Sequence, residues 1–139
     1  MLPSVHDHTL MEYCVSLDRA SVVLRTSRPA GMEPASRSQQ SVVFEGCEAH
    51  HFRHSSPGSI LGEIIECPLP AFLENIQAEL DKGSRESGWP KWWQASVSDA
   101  LNYLGARSIR AFEITSAYGF SGWVLARSCR VMEAPNAAA

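Results

Sequence analysis

Apolar and polar residues alternate near the start of the chain, and this alternation predicts a β-hairpin. Between Thr9 and Leu17, apolar residues occupy every second position from Met11 onward, which is the period of a strand with one buried face. The segment from Ser21 to Thr26 is rich in β-branched residues, which favour strands. Asp18 and Arg19 lie between the two segments and can form the turn of an antiparallel pair.

A second pair of strands is predicted further along the chain. The third strand runs from Ser41 to about Phe52, with Gly46 as a bulge or bend, and the fourth runs from Ile60 to about Glu66. We expect these two strands to form a second hairpin. The segment from Ser27 to Gln40 is poor in apolar residues and contains proline and glycine, so it is expected to be a mobile loop.

The hydrophobic period then changes to that of helices. After Pro68, one apolar stripe with offsets of three and four predicts a helix that ends near Lys82-Gly83-Ser84, and its members are Leu69, Phe72, Leu73, Ile76 and Leu80. A second helix is expected to start near Pro90 and to end at Gly105, and it would direct inward Trp93, Val97, Leu101 and Leu104.

Two further strands, Ile109 to Thr115 and Gly122 to Val131, complete a predicted element order ββββααββ. Strands grouped before and after the helices favour an α+β fold, with a mostly antiparallel sheet and two helices packed on one face. The 139 residues are expected to form a single domain. Three segments of this domain are predicted to lack regular structure: a flexible N-terminus (1–8), the mobile loop (27–40) and a frayed tail (134–139).

Charge and composition narrow the classes of partner. The formal net charge of −3 provides no general attraction for nucleic acid or for anionic lipid headgroups. No apolar run approaches the ~20 residues of a membrane helix, and the N-terminus lacks the pattern of a signal peptide. We therefore expect a cytoplasmic protein that binds neither nucleic acid nor membrane.

The four cysteines are single and widely spaced, so they predict reduced thiols and not a disulfide framework. Each of the four falls in a stretch that is predicted to be a strand, where cysteine commonly acts as a small buried apolar residue. These cysteines are Cys14, Cys47, Cys67 and Cys129. Cys47 and His51 would lie about 13 Å apart on an extended strand, so a catalytic thiol–imidazole pair is not expected.

The histidines are the candidate metal ligands, and they are His6, His8, His50, His51 and His54. His50 and His51 are neighbours on a strand and should face opposite sides of the sheet, so only one of them could join a shared site. A structural zinc site needs four ligands, so neither a metal nor another cofactor is predicted.

Aromatic residues near the predicted turns are the candidate binding residues. Trp89, Trp92 and Trp93 are close together at the start of the second helix, and indoles at these positions cannot all face the same way. Tyr118, Phe120 and Trp123 surround the last turn. We predict a contact surface formed by Trp89, Trp92, Tyr118, Phe120 and Trp123. The alternative is that these rings close one end of the core.

No common enzyme signature is present in the sequence. A phosphate-binding glycine loop, a G-x-S-x-G elbow and an H-E-x-x-H pair are all absent. Arg107, Arg110 and Glu113 are interpreted as solvated charges and not as an acid–base pair. The sequence therefore favours a non-enzymatic protein.

One segment carries a resemblance. Residues Val42 to Phe52, with Ile60 to Ile64, are similar to a strand pair in small uncharacterised bacterial proteins, including immunity-protein-like families of polymorphic toxin systems. The resemblance implies a toxin-neutralising binding protein, and it implies no catalytic residues.

Three functional hypotheses follow from the sequence. The first is a bacterial domain that binds another protein through the aromatic residues named above. The second is a small-molecule-binding protein or enzyme with a pocket between sheet and helices, in which His50, His51 or Tyr118 supply polar groups. The third is a homodimer in which an exposed strand edge or an aromatic patch is the interface.

Overall fold

A computed structural model describes residues 5–28, 39–90 and 96–133, and in these residues the chain forms an antiparallel sheet of eight strands with three helices. The α+β class is confirmed, but five strands precede the helices and three follow them. The elements are β1 (Thr9–Ser16), β2 (Ser21–Ser27), β3 (Gln39–Glu45), β4 (Ala49–Arg53), β5 (Ile60–Cys67), α1 (Leu69–Asn75), α2 (Gln77–Ser87), α3 (Val97–Ala106), β6 (Arg110–Tyr118), β7 (Ser121–Ala126) and β8 (Ser128–Glu133).

The predicted first hairpin is confirmed, whereas the predicted second hairpin is wrong. β1 and β2 pair antiparallel from Thr9–Ser27 to Ser16–Ser21. The predicted strand from Ser41 to Phe52 is interrupted after Glu45, where Gly46 adopts φ +65°, a left-handed conformation that favours glycine. β3 then pairs with β2 and β8, β4 pairs with β7, and β5 pairs with β6.

The predicted last strand is also interrupted, at Arg127, and it becomes β7 and β8. β3 pairs with β8 and β4 pairs with β7, so two bent segments form one long antiparallel ladder. The Arg127 amide donates to the Glu45 carbonyl (2.9 Å) and the Glu48 amide donates to the Leu125 carbonyl (2.8 Å) across the bend. Because the strand order is β4-β7-β6-β5-β1-β2-β3-β8, this ladder joins the two ends of the sheet and closes it into a barrel.

Inward-facing side chains from all around the barrel form one core. Phe44 and Phe112 meet edge to face with ring centroids 5.7 Å apart. The buried members of this core are Val5, Val22, Leu24, Val42, Phe44, Leu61, Phe112, Ile114, Phe120, Val124, Ala126 and Cys129. Val5 and His8 are both buried, so residues 5–8, which were expected to belong to a flexible N-terminus, are packed in the fold.

The helices differ from the predictions at their boundaries. The first predicted helix is divided at Ile76, whose backbone (φ −101°, ψ 10°) leaves the helical region. It continues past Gly83 as α2 and ends at Gly88, which is left-handed. The second predicted helix begins only at Val97, where the Ser96 hydroxyl accepts a hydrogen bond from the Asp99 amide (3.2 Å).

All three helices pack against one face of the sheet, the outer face of β4, β7 and β6. The predicted apolar stripe is confirmed, because its residues are buried against strand residues. The buried members of this second core are Ala49, Phe72, Leu73, Ile76, Leu80, Ala100, Leu104, Ile109, Ala111, Trp123 and Leu125. β7 is therefore buried on both faces.

Some predictions fall on residues that the structure does not describe. These are most of the loop 27–40, Trp92 and Trp93 near the second predicted helix start, and the tail 134–139. Among the helices of the described part of the chain, none has the length and apolar character needed to cross a membrane.

Candidate functional site

A pocket of about 390 Å³ lies between β4 and α2, and it is the candidate functional site. β4 pairs with β7 along one edge, and no strand of the described residues pairs with its other edge. The volume is within the range of small-molecule sites, about 300–1,000 Å³. The lining residues are His50, His51, Glu79, Lys82, Gly83, Glu86 and Trp89.

The Glu79 carboxylate connects the sheet to α2 in this pocket. Its Oε1 atom lies 3.1 Å from Nδ1 of His51, and its Oε2 atom accepts a hydrogen bond from Nε1 of Trp123 (3.1 Å). His51 and Trp123 are directly opposed across the β4–β7 ladder, which places both side chains on the helix-facing side. Arg53 lies on the same side of β4, with its guanidinium 4.0 Å from Oε1 of Glu79.

The N–H donors of Trp123 and His51 determine which of the remaining atoms can accept a hydrogen bond. An indole N–H can only donate, so the Trp123 bond requires an acceptor oxygen on Glu79. With Glu79 ionised, Nδ1 of His51 must carry the hydrogen that it shares with Oε1. In the neutral imidazole Nε2 is then a hydrogen-bond acceptor, and no residue in the described part of the chain bonds to it.

His50 also lines the pocket, although it is next to His51 on the strand. The two side chains face opposite sides of the sheet, as predicted: Val124, opposite His50, belongs to the barrel core, and Trp123, opposite His51, packs against the helices. His50 packs on Phe52 with ring centroids 5.0 Å apart. Burial, and then the neighbouring His51, lower the pKa of His50, so it is neutral at pH 7.

Trp89 forms the aromatic wall of the pocket. The chain leaves α2 at the left-handed Gly88, and the Trp89 amide donates to the Gly83 carbonyl (3.2 Å). This bond brings the indole over Gly83, where any side chain would collide with the ring. The Trp89 and Trp123 ring centroids are 6.2 Å apart, with the planes inclined by 31°. Gly83 therefore provides the space for this wall.

The predicted binding residues do not form one surface. Trp89 and Trp123 lie together beside the pocket, but Trp123 is only 3% exposed. Phe120 is fully buried in the barrel against Phe52 and Tyr13, so it offers no contact area to a partner. Tyr118 is 58% exposed at the end of β6. Trp92 lies outside the described residues.

The other candidate chemistries lie outside the pocket. Cys47 is in the connection between β3 and β4, where its thiol donates to the Phe44 carbonyl (3.6 Å), and burial raises its pKa to about 11. Arg110 forms a two-bond ion pair with Glu66 (2.6 and 2.9 Å) and not with Glu113. In the residues that the structure describes, no group of three or more potential metal ligands occurs.

Sequence reasoning missed Glu79, Lys82 and Glu86. A signal for Glu79 was present, because it lies between Ile76 and Leu80, two members of the apolar stripe of the helix. An acidic residue within a buried stripe indicates a polar partner on the opposing element. Here that partner is the His51–Trp123 pair.

Comparison of the chain with protein-family models, with curated proteins and with solved structures found no match. The candidate site is therefore defined by its own geometry: a carboxylate bound to an imidazole and an indole, in a pocket between β4 and α2.

Proposed function

We propose that this protein binds a small organic molecule in the pocket between β4 and α2. The observation that carries the proposal is the Glu79 carboxylate, which engages Nδ1 of His51 and leaves Nε2 without a partner among the described residues. A binding site of this kind typically combines an apolar wall with a few fixed polar groups. Trp89 supplies that wall.

Rigidity of the polar groups supports a binding role. His51 is on a strand paired with the doubly buried β7, and Glu79 is one residue before the fully buried Leu80. Both side chains are only partly exposed, 43% for His51 and 31% for Glu79. Groups held before a ligand arrives lose less conformational entropy on binding, which favours affinity.

A thermal-shift screen of metabolites tests the proposal. A compound present at a hundred times its dissociation constant should stabilise the fold by about 2.7 kcal/mol. The same compound should stabilise the His51→Gln and Trp89→Ala variants much less. His54→Asn is the matched control, because His54 is exposed and is not among the pocket-lining residues. Equal stabilisation of all variants would contradict the proposal.

Protein binding is a second candidate function, and the outer edge of β1 favours it. On the side away from β2, the backbone partners of β1 among the described residues are the Thr9–Ile60 bridge and the Ser59 carbonyl, which accepts from the Leu10 amide (2.9 Å). No described strand pairs with that edge from Met11 onward. Met11, Tyr13 and Leu17 are exposed on or beside this strand. An extended segment of a partner protein could add to this edge as a further strand.

Two variants distinguish ligand binding in the pocket from protein binding at β1. Partner binding at β1 should be lost in a Met11→Lys, Leu17→Lys double variant and retained in His51→Gln. Isothermal titration with each co-purifying protein would measure both affinities. A partner whose affinity is the same for the double variant and the wild type does not use β1. Self-association measured by ultracentrifugation would instead identify a second copy of the chain as the occupant of this edge.

A further inference from the structure

We infer that the pocket between β4 and α2 is selective for an organic cation, an amine on a flat ring, whose ammonium donates to Nε2 of His51 and faces Glu86 while its ring lies against Trp89. This inference rests on the proposed ligand-binding function and specifies the class of ligand. It follows from the acceptors, the charges and the size of the pocket.

Hydrogen-bond acceptors lie beside the Lys82 ammonium and the Trp89 indole in the lining of the pocket, and they are Glu86 and the His51 nitrogen that has no partner among the described residues. When the His51 imidazole is neutral, Nε2 accepts, because Nδ1 is used as a donor to Glu79. His50 is neutral at pH 7, since burial lowers its pKa, and it adds no positive charge. A ligand that donates hydrogen bonds is therefore better matched than one that only accepts them.

The charges of the lining residues favour a cation. The lining includes two carboxylates, Glu79 and Glu86, and one ammonium, that of Lys82. Glu79 is already engaged by His51 and Trp123, with Arg53 nearby. Glu86 has neither a hydrogen bond nor an ion pair from any side chain in the described ranges, so its charge is available to a ligand. Lys82 is exposed at the rim, and its flexible stem lets the ammonium turn into water.

The aromatic wall points to the same class of ligand. The electron-rich face of an indole attracts a cation, and tryptophan gives the strongest interactions of this kind. The Trp89 ring lies over Gly83, and Gly83 is in the helical turn before Glu86. An ammonium near Glu86 is therefore also close to the indole. The 390 Å³ volume corresponds to about a dozen water molecules at their liquid volume, enough for one ring with a short amine chain.

Three probes of similar shape test the inference by isothermal titration: phenethylamine, 3-phenylpropionate and L-phenylalanine. We expect phenethylamine to bind at least tenfold more tightly than the other two. Glu86→Gln should weaken phenethylamine binding at least fivefold, whereas Glu74→Gln, which changes an exposed glutamate on α1 away from the pocket, should leave it unchanged.

Tighter or equal binding of 3-phenylpropionate or L-phenylalanine would overturn the inference, because it would show that Lys82 and not Glu86 selects the ligand. That result would leave the proposed ligand-binding function standing. Failure of all three probes, together with a metabolite screen in which no compound depends on His51 and Trp89, would overturn both. Unchanged phenethylamine affinity in Glu86→Gln would also overturn the inference.

Discussion

The indole nitrogen of Trp123 and the carboxylate of Glu79 are joined by a hydrogen bond of 3.1 Å, which links a strand buried on both faces to the first turn of α2. Trp123 is nearly completely buried, so its N–H has little access to water if the carboxylate is removed. Glu79 therefore has a structural role that is separate from any ligand.

Replacing Glu79 by Ala should lower the free energy of unfolding by about 1–3 kcal/mol, because the N–H groups of Trp123 and His51 lose their acceptor. Urea denaturation followed by tryptophan fluorescence measures the change. Glu74→Ala is the matched control on α1 and should stay within about 0.5 kcal/mol of wild type, since Glu74 is exposed. Similar losses in both variants would contradict the assigned role of Glu79.

Two glycines within helices should respond in opposite directions to alanine. Gly105→Ala in α3 should stabilise the protein by about 0.5–1 kcal/mol, because alanine favours helix and the added methyl group meets no atom within 4 Å. Gly83→Ala in α2 should be destabilising despite the same helical gain, because the methyl group collides with Trp89. Thermal unfolding of both variants checks this contrast, and stabilisation of both would mean that the Trp89 wall is displaced without cost.

Acidification should destabilise the fold through His8. Its Nδ1 atom lies 3.0 Å from the Thr26 hydroxyl, which itself donates to the Gln40 carbonyl, so Nδ1 is the donor. Burial, followed by the charge of Arg28, lowers the pKa of His8. The unfolded chain therefore binds a proton first as the pH falls, and the stability present above about pH 6.5 is lost below it.

Between pH 7 and pH 5, the free energy of unfolding should decrease by up to about 1.4 kcal/mol per pH unit for one proton. His50, whose pKa is also lowered, adds a contribution of the same sign. Urea titrations at a series of pH values measure it. His8→Gln should have a shallower pH dependence than the exposed control His54→Asn. Identical pH dependence in the two variants would exclude His8 as a source.

The four thiols should differ in their rates of alkylation. All four are free, and Cys14 is exposed on β1, whereas burial raises the pKa of Cys47 to about 11 and that of Cys129 to about 12. Iodoacetamide reacts with thiolates, so at pH 8 Cys14 should be modified at least tenfold faster than Cys47 or Cys129. Peptide mass spectrometry over time measures the order. Early modification of Cys129 would show that the barrel opens on that timescale.

Local sequence patterns predicted the strands and helices better than they predicted which strands pair with each other. The alternation in β1 predicted a strand, and the strand is confirmed, but its expected buried face is wrong, because Met11, Tyr13 and Leu17 are exposed. The stripe from Phe72 to Leu80 predicted the buried face of the helix, and that prediction is confirmed. Alternation does not report which strand lies alongside. Gly46 was therefore predicted as a bulge or bend within one strand, and no interruption was predicted between Gly122 and Val131. Both bends redirect strands into the ladder that closes the barrel.

The candidate site could be predicted only in part for the same reason. His51 was identified as a polar group for a pocket between sheet and helices, but Glu79 was not, because a glutamate on an amphipathic helix usually faces water. The contact depends on the pairing of His51 with Trp123, residues far apart in the sequence. Among the predicted aromatic residues, a pattern of rings near turns could not distinguish the buried Phe120 from the exposed Tyr118.

The bent ladder that closes the barrel has a consequence for folding. Its first half, from Gln39 to Arg53, must find a second half that begins only at Ser121, so the loop that closes includes β5, all three helices and β6. Contacts at such long sequence separation slow folding, because chain entropy is lost before the pairing compensates for it. During synthesis β3 and β4 remain without these partners until the last strands leave the ribosome. The nascent chain must therefore keep two strand edges from pairing with other chains until residues 121–133 have been made.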